Sequence, residues 1–247
     1  MRKALSLVFL FLLFIPLAAQ EKDSISVAGS ERFRWPQLIL PAATMTVGAV
    51  GVANPWFESH INDRVRSWAG QIRGDRYIHA DDYIQYAPAA AYMLIGLAGR
   101  RDHSLGERTL ILATSWLSLG IMVNSIKYTV RDLRPDESAR NSFPSGHTAT
   151  AFMGAELIRK EYGPWWGAGA YVVAAGTGFL RIYNNRHWFN DILGGAAVGI
   201  LSANIGYWLL PYERRLFPRH EGTLSLLPSL ERCGRQSAYG FSLTWVF

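Results

Sequence analysis

Apolar residues along this chain gather into long runs separated by polar linkers, a pattern that predicts helices packed against one another. Beyond the N-terminal region we predict six apolar helices, at about 36–54, 85–99, 108–126, 147–159, 165–180 and 191–210. Several of them are shorter than the roughly 20 residues that a membrane span needs. Aromatic residues flank these segments, as in an interfacial belt or a large helical core: Trp35, Trp56, Trp165, Trp166 and Trp208.

The N-terminus has a pattern of its own. Arg2 and Lys3 precede an apolar run from Leu5 to Leu17, and the small residues Ala18 and Ala19 lead into a polar stretch. This order is typical of a secretory signal peptide. We therefore expect residues 1–20 to be a signal peptide, with an uncleaved N-terminal apolar membrane segment as the alternative.

The C-terminal tail, residues 212–247, has a different pattern of apolar and polar residues. Phe241, Leu243 and Trp245 are each separated by one residue, and a period of two predicts β-strand. The sequence therefore predicts an all-α domain at 35–211, followed by a tail that forms a small hairpin.

Composition narrows the class of protein. With 49% hydrophobic and 18% charged residues, the chain is rich in apolar residues for a soluble protein and poor in them for one wholly embedded in a membrane. The net charge of +6 lies largely in short Arg clusters, and no nucleic-acid reader motif accompanies them. Cys233 is the sole cysteine, which excludes a disulfide or a cysteine-based zinc site within one chain.

Cationic residues stand at the ends of predicted helices. Lys127 ends the third helix, Arg134 follows seven residues later, and Arg181 ends the fifth helix. Phosphoryl transfer spreads negative charge over three oxygens, so fixed cations stabilise its transition state. Arg binds oxygen pairs bidentately, and Lys supplies a point charge. The three are candidate phosphate ligands.

A helix N-terminus follows the motif Pro144-Ser145-Gly146-His147. Ser145 is a preferred N-cap residue, and Gly146 lets the backbone approach a ligand closely. Free N–H groups at such a terminus bind oxyanions. His147 at this position could protonate a leaving alkoxide as a general acid.

His187 and Asp191 are four residues apart, so they share a face if the segment is helical. A carboxylate bonded to one imidazole nitrogen fixes the tautomer and leaves the other nitrogen as a nucleophile. Each of these features alone is more often a surface pair or a capped turn, and only their combination favours a catalytic site.

Together the clusters resemble the type 2 phosphatidic acid phosphatase (PAP2) superfamily, whose pattern is K-x6-R-P, then P-S-G-H, then S-R-x5-H-x3-D. Lys127 with Arg134-Pro135 matches the first motif, and Pro144 to His147 matches the second. Arg181, His187 and Asp191 match the third, but Leu180 stands where the family usually has Ser.

The resemblance implies a six-helix bundle and a role for each matched residue. It implies that His187 is a nucleophile that forms a phosphohistidine, that Asp191 orients it, and that His147 is the general acid. It implies that the phosphate is bound by Lys127, Arg134, Ser145, Gly146 and Arg181. It also implies hydrolysis of a phosphate monoester or pyrophosphate, frequently of a lipid, without a metal or another cofactor. We expect Leu180 to alter the geometry of phosphate binding rather than the class of reaction.

Two readings of location stay open. If the basic clusters Arg100-Arg101 with Arg108, Arg159-Lys160 and Arg214-Arg215 are cytoplasmic, the motif-bearing loops face outward. Six spanning helices would then start at residue 35 inside the cell, whereas a cleaved signal peptide would leave that residue outside. We expect an inner-membrane protein with a periplasmic site, and a soluble periplasmic protein is the alternative.

For the membrane protein, the expected substrates are lipid A phosphates, undecaprenyl pyrophosphate and phosphatidylglycerophosphate, and the expected partners are this lipid and the membrane. The alternatives are a secreted non-specific acid phosphatase, a vanadate-dependent haloperoxidase with the same anion site, and a binding or transport protein that does not turn over its ligand.

Overall fold

A computed structural model describes residues 32–97 and 102–216, together with the backbone of residues 223–233 and 236–246. The expected signal peptide at residues 1–20 lies outside the described residues. The chain divides into two units, Met1–Leu210 and Pro211–Phe247, and each is described by itself.

Helices dominate the first unit, and each of the six predicted segments overlaps one of them. In chain order the helices are α1 (Pro36–Ala53), α2 (Pro55–Phe57), a π-helical turn (Glu58–Asn62), α3 (Asp63–Arg73), α4 (Asp81–Ile84), α5 (Ala87–Leu97), α6 (Leu105–Val130), α7 (Gly146–Tyr162), α8 (Pro164–Tyr183) and α9 (Phe189–Leu216).

The six-helix count is not confirmed, because residues 55–84, expected to be a linker, contain α2, α3 and α4. Asn54 caps the first of these by accepting a hydrogen bond from the Trp56 amide, with Pro55 at the next position. In α3, charged residues surround a narrow apolar face on which Ala69 is buried and Val65 and Trp68 pack. A short helix with so few apolar residues has a weak periodic pattern, which is why the sequence did not predict it.

Close packing at glycines sets the order of helices around α9. A Cβ at Gly195 would lie 2.5 Å from the Ser145 carbonyl oxygen, and one at Gly199 would lie 2.3 Å from the Ala149 carbonyl oxygen. Both contacts are too short for any side chain, so α7 and α9 pack backbone to backbone and run in the same direction. A Cβ at Gly206 would lie 2.7 Å from the Ile111 carbonyl oxygen, which places the start of α6 beside the end of α9.

Helix α1 runs antiparallel to α9. Near its start, the side chain of Gln37 accepts a hydrogen bond from Trp208 Nε1 at 2.8 Å. Near its end, Gly48 and Gly51 approach Asn190. The start of α1 and the start of α9 therefore lie at opposite ends of the bundle.

Three helices, α1, α6 and α9, are long and apolar enough to cross a membrane. Within the most apolar window of each, 72% of α9 is buried but only 17% of α1 and 22% of α6. The outer helices therefore present large apolar side chains outward, among them Ile39, Leu117 and Ile121. An apolar surface of this extent is stable in lipid rather than in water, and the chain is accordingly a membrane protein.

Two of the basic residues expected at the cytoplasmic surface are buried. Arg108 is 0% exposed and donates to the carbonyl oxygens of Tyr92 and Met93. Lys160 is 5% exposed, and its ammonium lies over the ring of Tyr207. These two cations are therefore bound within the bundle and contribute little to the surface charge on which the positive-inside rule depends.

In the second unit, β1 (Thr223–Cys233) pairs antiparallel with β2 (Gln236–Val246). The register joins Thr223 to Val246 and Cys233 to Gln236. These strands lie in the segment for which the sequence predicts a hairpin.

Candidate active site

The eight predicted site residues lie at one end of the helical unit, where α6 and α8 end and α7 and α9 begin. Lys127 lies in the last turn of α6, and Arg181 lies in the last turn of α8. Ser145 caps α7, and Asp191 lies in the first turn of α9. The loops 131–145 and 184–188 supply Arg134 and His187.

A buried hydrogen-bonded chain holds His187. Its Nδ1 lies 3.1 Å from Asp191 Oδ2, and both residues are at most 3% exposed. The same carboxylate oxygen accepts hydrogen bonds from the Ser142 hydroxyl at 2.5 Å and from the Trp188 amide at 2.8 Å. Because Nδ1 faces the carboxylate, it carries the proton, and Nε2 keeps its lone pair.

The N-terminus of α7 is fixed to the same carboxylate-bearing helix. The Ser145 amide donates to the Asp191 carbonyl oxygen at 3.1 Å. The Ser145 hydroxyl accepts from Thr148 as an N-cap. A Cβ at Gly146 would meet only Val123 Cγ1, at 3.9 Å. Packing therefore does not require glycine here, and the absent side chain leaves the amide of the first helical turn open to a ligand.

Asn141 connects the first two cations. The Lys127 ammonium donates to the carbonyl oxygen of Asn141, and Arg134 Nε donates to its side-chain oxygen at 2.9 Å. Since Ser142 follows directly in the chain, these cations are tied to the segment that holds Asp191. Lys127 and Arg134 are both partly exposed, so their charges can reach a ligand.

The third cation and the second histidine are held by a pair of carboxylates. Arg181 is 3% exposed and donates to Asp81 at 2.5 Å. His147 Nε2 lies 3.1 Å from Asp82, whose carboxylate also lies 3.8 Å from Arg181. Within the described part of the chain, Arg181 Nε is buried without a hydrogen-bond partner.

The electrostatic environment favours a neutral imidazole at His187. Burial is the largest cause that lowers the pKa of His187 well below 6.5, and the charges of Lys127, Arg181 and Arg134 act in the same direction. Burial also raises the pKa of Asp132 to about 6, assisted by the charge of Asp191. Burial alone would raise the pKa of Asp82, but the hydrogen bond with His147 and the nearby cations lower it. Asp82 is therefore anionic at neutral pH.

Arg66, outside the cluster of site residues, contacts both loops that carry them. Arg66 of α3 donates to the Pro135 carbonyl oxygen at 2.7 Å and to the Asn185 side chain at 3.0 Å. Its guanidinium also lies 5.4 Å from the ring centre of Trp188. This one side chain joins the loop after Arg134 to the loop that contains His187.

Sequence reasoning missed four residues of the site: Asp81, Asp82, Asn141 and Ser142. Asp81 and Asp82 belong to the region expected to be a linker, and their partners are 65 to 103 residues away. Ser142 stands two residues before the second motif, and that position was the one available signal. Within residues 32–97 and 102–216, no cluster of three or more His, Cys, Asp or Glu could hold a metal ion.

Comparison with known families and curated proteins gives matches over the same region. Residues 108–215 match the PAP2 superfamily model. The chain is similar to a lipid A 1-phosphatase from Porphyromonas gingivalis, with 40% identity over 191 residues, which are 71% of this chain and 43% of that protein. It is also similar to the bacitracin transport permease protein BcrC from Bacillus licheniformis, with 38% identity over 29% of this chain and 34% of that protein. The chain thus spans less than half the length of either of these relatives.

Two solved structures show limited overall similarity. LpxE from Aquifex aeolicus has 24% identity and a TM-score of 0.42, covering 57% of this chain and 92% of the other. A transmembrane PAP2-type phosphatidylglycerolphosphate phosphatase from Bacillus subtilis has 20% identity and a TM-score of 0.38, covering 89% and 99%.

Proposed function

Because the chain belongs to the PAP2 superfamily, with residues 108–215 as the matched region, we propose that it is a lipid phosphatase that transfers a phosphoryl group onto His187. The observation that supports this most directly is the buried chain from Ser142 through Asp191 to His187. It fixes the imidazole in the tautomer that a nucleophile needs, beside three cations and an open helix N-terminus.

The first step forms a phosphohistidine. Nε2 of His187 attacks phosphorus, the bond from phosphorus to the leaving oxygen breaks, and His147 gives that oxygen a proton. Lys127, Arg134, Arg181 and the Gly146 amide stabilise the charge on the other oxygens. The buried Nε of Arg181 supports this assignment, because a phosphate oxygen is the kind of acceptor that it binds.

The second step returns the enzyme to its starting state. Water attacks phosphorus, its proton passes to His147, and the phosphorus–nitrogen bond to His187 breaks to release inorganic phosphate. Asp82 holds His147 at 3.1 Å through both steps, which keeps the imidazole in place as it loses and regains a proton.

The substrate is a lipid phosphate, and the relative that is named a lipid A 1-phosphatase favours a phosphate on lipid A. Undecaprenyl pyrophosphate and phosphatidylglycerophosphate have the same chemistry at the reacting group. We place the protein in the inner membrane with its site on the periplasmic side, where such a headgroup is accessible.

The test is phosphate release by purified protein from lipid A, undecaprenyl pyrophosphate, phosphatidylglycerophosphate and p-nitrophenyl phosphate, with a metal chelator present. We expect hydrolysis of at least one lipid, and His187→Ala should lower its rate roughly a thousand-fold or more. His60→Ala is the matched control, because His60 is exposed and stacks on Trp56.

Full activity in His187→Ala would exclude this mechanism. A preference for p-nitrophenyl phosphate over every lipid would instead identify a non-specific acid phosphatase. Halide oxidation that appears only with added vanadate would identify a haloperoxidase.

A further inference from the structure

Asn184 lies between the motif residues Arg181 and His187, at a position that the family pattern leaves unspecified. The residue is 3% exposed, and its side chain makes three hydrogen bonds. The amide nitrogen donates to the Ile78 carbonyl oxygen at 2.7 Å and to Asp81 Oδ1 at 3.1 Å, and the amide oxygen accepts from the Ile78 amide at 3.1 Å. Both N–H groups of the side chain are therefore used by residues outside α8.

Capping of α8 does not account for these bonds. Asn184 ends this helix through its backbone amide, which donates to the Leu180 carbonyl oxygen at 2.8 Å. The side-chain bonds go instead to Ile78 and Asp81, which are 106 and 103 residues away in the sequence. A shorter side chain at this position would leave the backbone cap in place.

Asp81 transmits this restraint to Arg181. Its carboxylate belongs to a residue that is 0% exposed, and Oδ1 accepts from Asn184 while Oδ2 accepts from Arg181 Nη1 at 2.5 Å. Rotation of the carboxylate would break one of the two bonds, and a buried donor without an acceptor is costly. Asn184 therefore fixes the plane of the carboxylate that holds the guanidinium.

The guanidinium of Arg181 is left with one edge for a ligand. A guanidinium binds an oxyanion through two parallel N–H groups, which come from the two terminal nitrogens or from Nε and Nη2. Because Asp81 occupies Nη1, the remaining pair is Nε and Nη2. Within the residues that the structure describes, Arg181 Nε is buried without a hydrogen-bond partner, which fits an edge that faces an anion.

Arg134 presents a different edge to the site. Its Nε donates to the side-chain oxygen of Asn141 at 2.9 Å, which leaves its two terminal nitrogens for a ligand. Each arginine is thus oriented by an amide side chain, directly by Asn141 for Arg134 and through Asp81 by Asn184 for Arg181.

We propose that Asn184 is a positioning residue of the phosphate site, and that it acts through Asp81 to turn the Nε–Nη2 edge of Arg181 toward the phosphate. This proposal rests on the function proposed above. Asn184 also begins the loop that leads to His187, in which the Arg186 amide donates to the Arg181 carbonyl oxygen at 3.0 Å. The proposed nucleophile and its phosphate ligand therefore share one anchor at Asp81.

Asn184→Ala tests this through the affinity for inorganic phosphate, measured by calorimetry on the purified protein in detergent. We expect the Kd to rise about tenfold, because Arg181 loses its orientation while its charge stays in place. The value of kcat/KM for lipid A should fall by a similar factor. Asn204→Ala is the matched control and should not change the Kd, since Asn204 is 1% exposed and donates to the Gln37 carbonyl oxygen, away from the site.

A second substitution shows whether the effect passes through Arg181. Arg181→Lys keeps the charge but has no planar pair of N–H groups, so adding Asn184→Ala to it should raise the Kd no further. An equal rise in both backgrounds would overturn the proposal, because Asn184 would then act independently of Arg181. An unchanged Kd in Asn184→Ala alone would overturn it as well.

An exchange variant keeps the proposal testable if Asn184→Ala does not fold. Asn184→Asp places two carboxylates face to face, and adding Asp81→Asn restores one donor and one acceptor at the same two positions. We expect the double variant to bind phosphate more tightly than Asn184→Asp alone, and equal or weaker binding would refute the proposal. The proposed function fails separately, if the wild-type protein binds phosphate but hydrolyses none of the substrates.

Discussion

At the residue scale, the orientation of His187, the proposed nucleophile, depends on how Asp191 is held. Oδ2 of this carboxylate accepts from His187, Ser142 and the Trp188 amide. Three donors on one oxygen fix its position, and a carboxylate that cannot rotate fixes the imidazole in turn. Ser142 is fully buried and donates to Asp191, so we regard it as a positioning residue.

We predict that Ser142→Ala lowers kcat roughly tenfold, because Asp191 loses a buried donor, and leaves KM for lipid A unchanged. Steady-state kinetics separate these two parameters. Ser138→Ala is the control, since Ser138 is exposed and its hydroxyl donates to half-buried Asp136 at 2.7 Å. A rise in KM without a fall in kcat would show that Ser142 binds substrate instead.

The charges around His187 predict the pH dependence of the reaction. The imidazole must be neutral to attack, and burial and the nearby cations lower its pKa well below 6.5. The acid limb of kcat/KM for His187 therefore lies below pH 6.5, with activity lost only as the pH falls through the lowered value. Lys127→Met removes the largest charge contribution and should move this limb upward.

Profiles of kcat/KM against pH for wild type and Lys127→Met check this prediction on one substrate. Ionisation of the substrate and of Asp132 affects both enzymes alike, so the difference between the profiles reports the His187–Asp191 pair, on which the Lys127 charge acts. A limb that stays in place or moves downward in Lys127→Met would contradict the electrostatic account.

At the element scale, contacts between α7 and α9 align the second and third motifs. Gly195 lies one turn after Asp191, and a Cβ there would lie 2.5 Å from the Ser145 carbonyl oxygen, so the two helix starts are held backbone to backbone. Any side chain here must separate them, and a backbone neighbour cannot turn aside as a flexible side chain would.

Gly195→Val should therefore lower the free energy of unfolding by about 1–3 kcal/mol. It should also reduce phosphatase activity, because the same contact aligns the two motifs. Thermal unfolding in detergent measures the first effect, and phosphate release measures the second. Gly120→Val is the control, because a Cβ at Gly120 meets nothing within 4 Å. Equal melting temperatures for wild type and Gly195→Val would mean that the helices pack differently.

At the scale of the whole molecule, the antiparallel arrangement of α1 and α9 bears on topology. Residues near the start of α1 lie beside the end of α9, away from the active site. If α1 crosses the membrane, Trp35 and His187 lie on opposite sides of it. A periplasmic site then places Trp35 at the cytoplasmic side. Six spanning helices require this placement, whereas a cleaved signal peptide would leave Trp35 at the periplasmic side.

Cysteine labelling in intact cells tests this topology in a Cys233→Ser background. We expect a membrane-impermeant maleimide to label Ser138→Cys, in the loop beside the site, and to label Trp35→Cys only after the inner membrane is opened. Both positions are exposed. Labelling of both in intact cells would show that α1 does not place the two positions on opposite sides of the membrane.

The sequence by itself determined the features that depend on residues close to one another in the chain. Long apolar runs predict helices because their periodicity is a property of each segment, and all six runs overlap a helix. The pairing of His187 with Asp191 was predicted from their spacing on a helix; the two do pair, but His187 lies in the loop before α9 and not on the helix. Ser145 was predicted as an N-cap from its residue type and position, and it is one.

Only the tertiary structure decided which distant residues complete the site. Asp81 reaches Arg181 across 100 residues, and Ser142 reaches Asp191 across 49. Nothing in the local pattern around either residue marks its partner, because the pairing follows from how the helices pack.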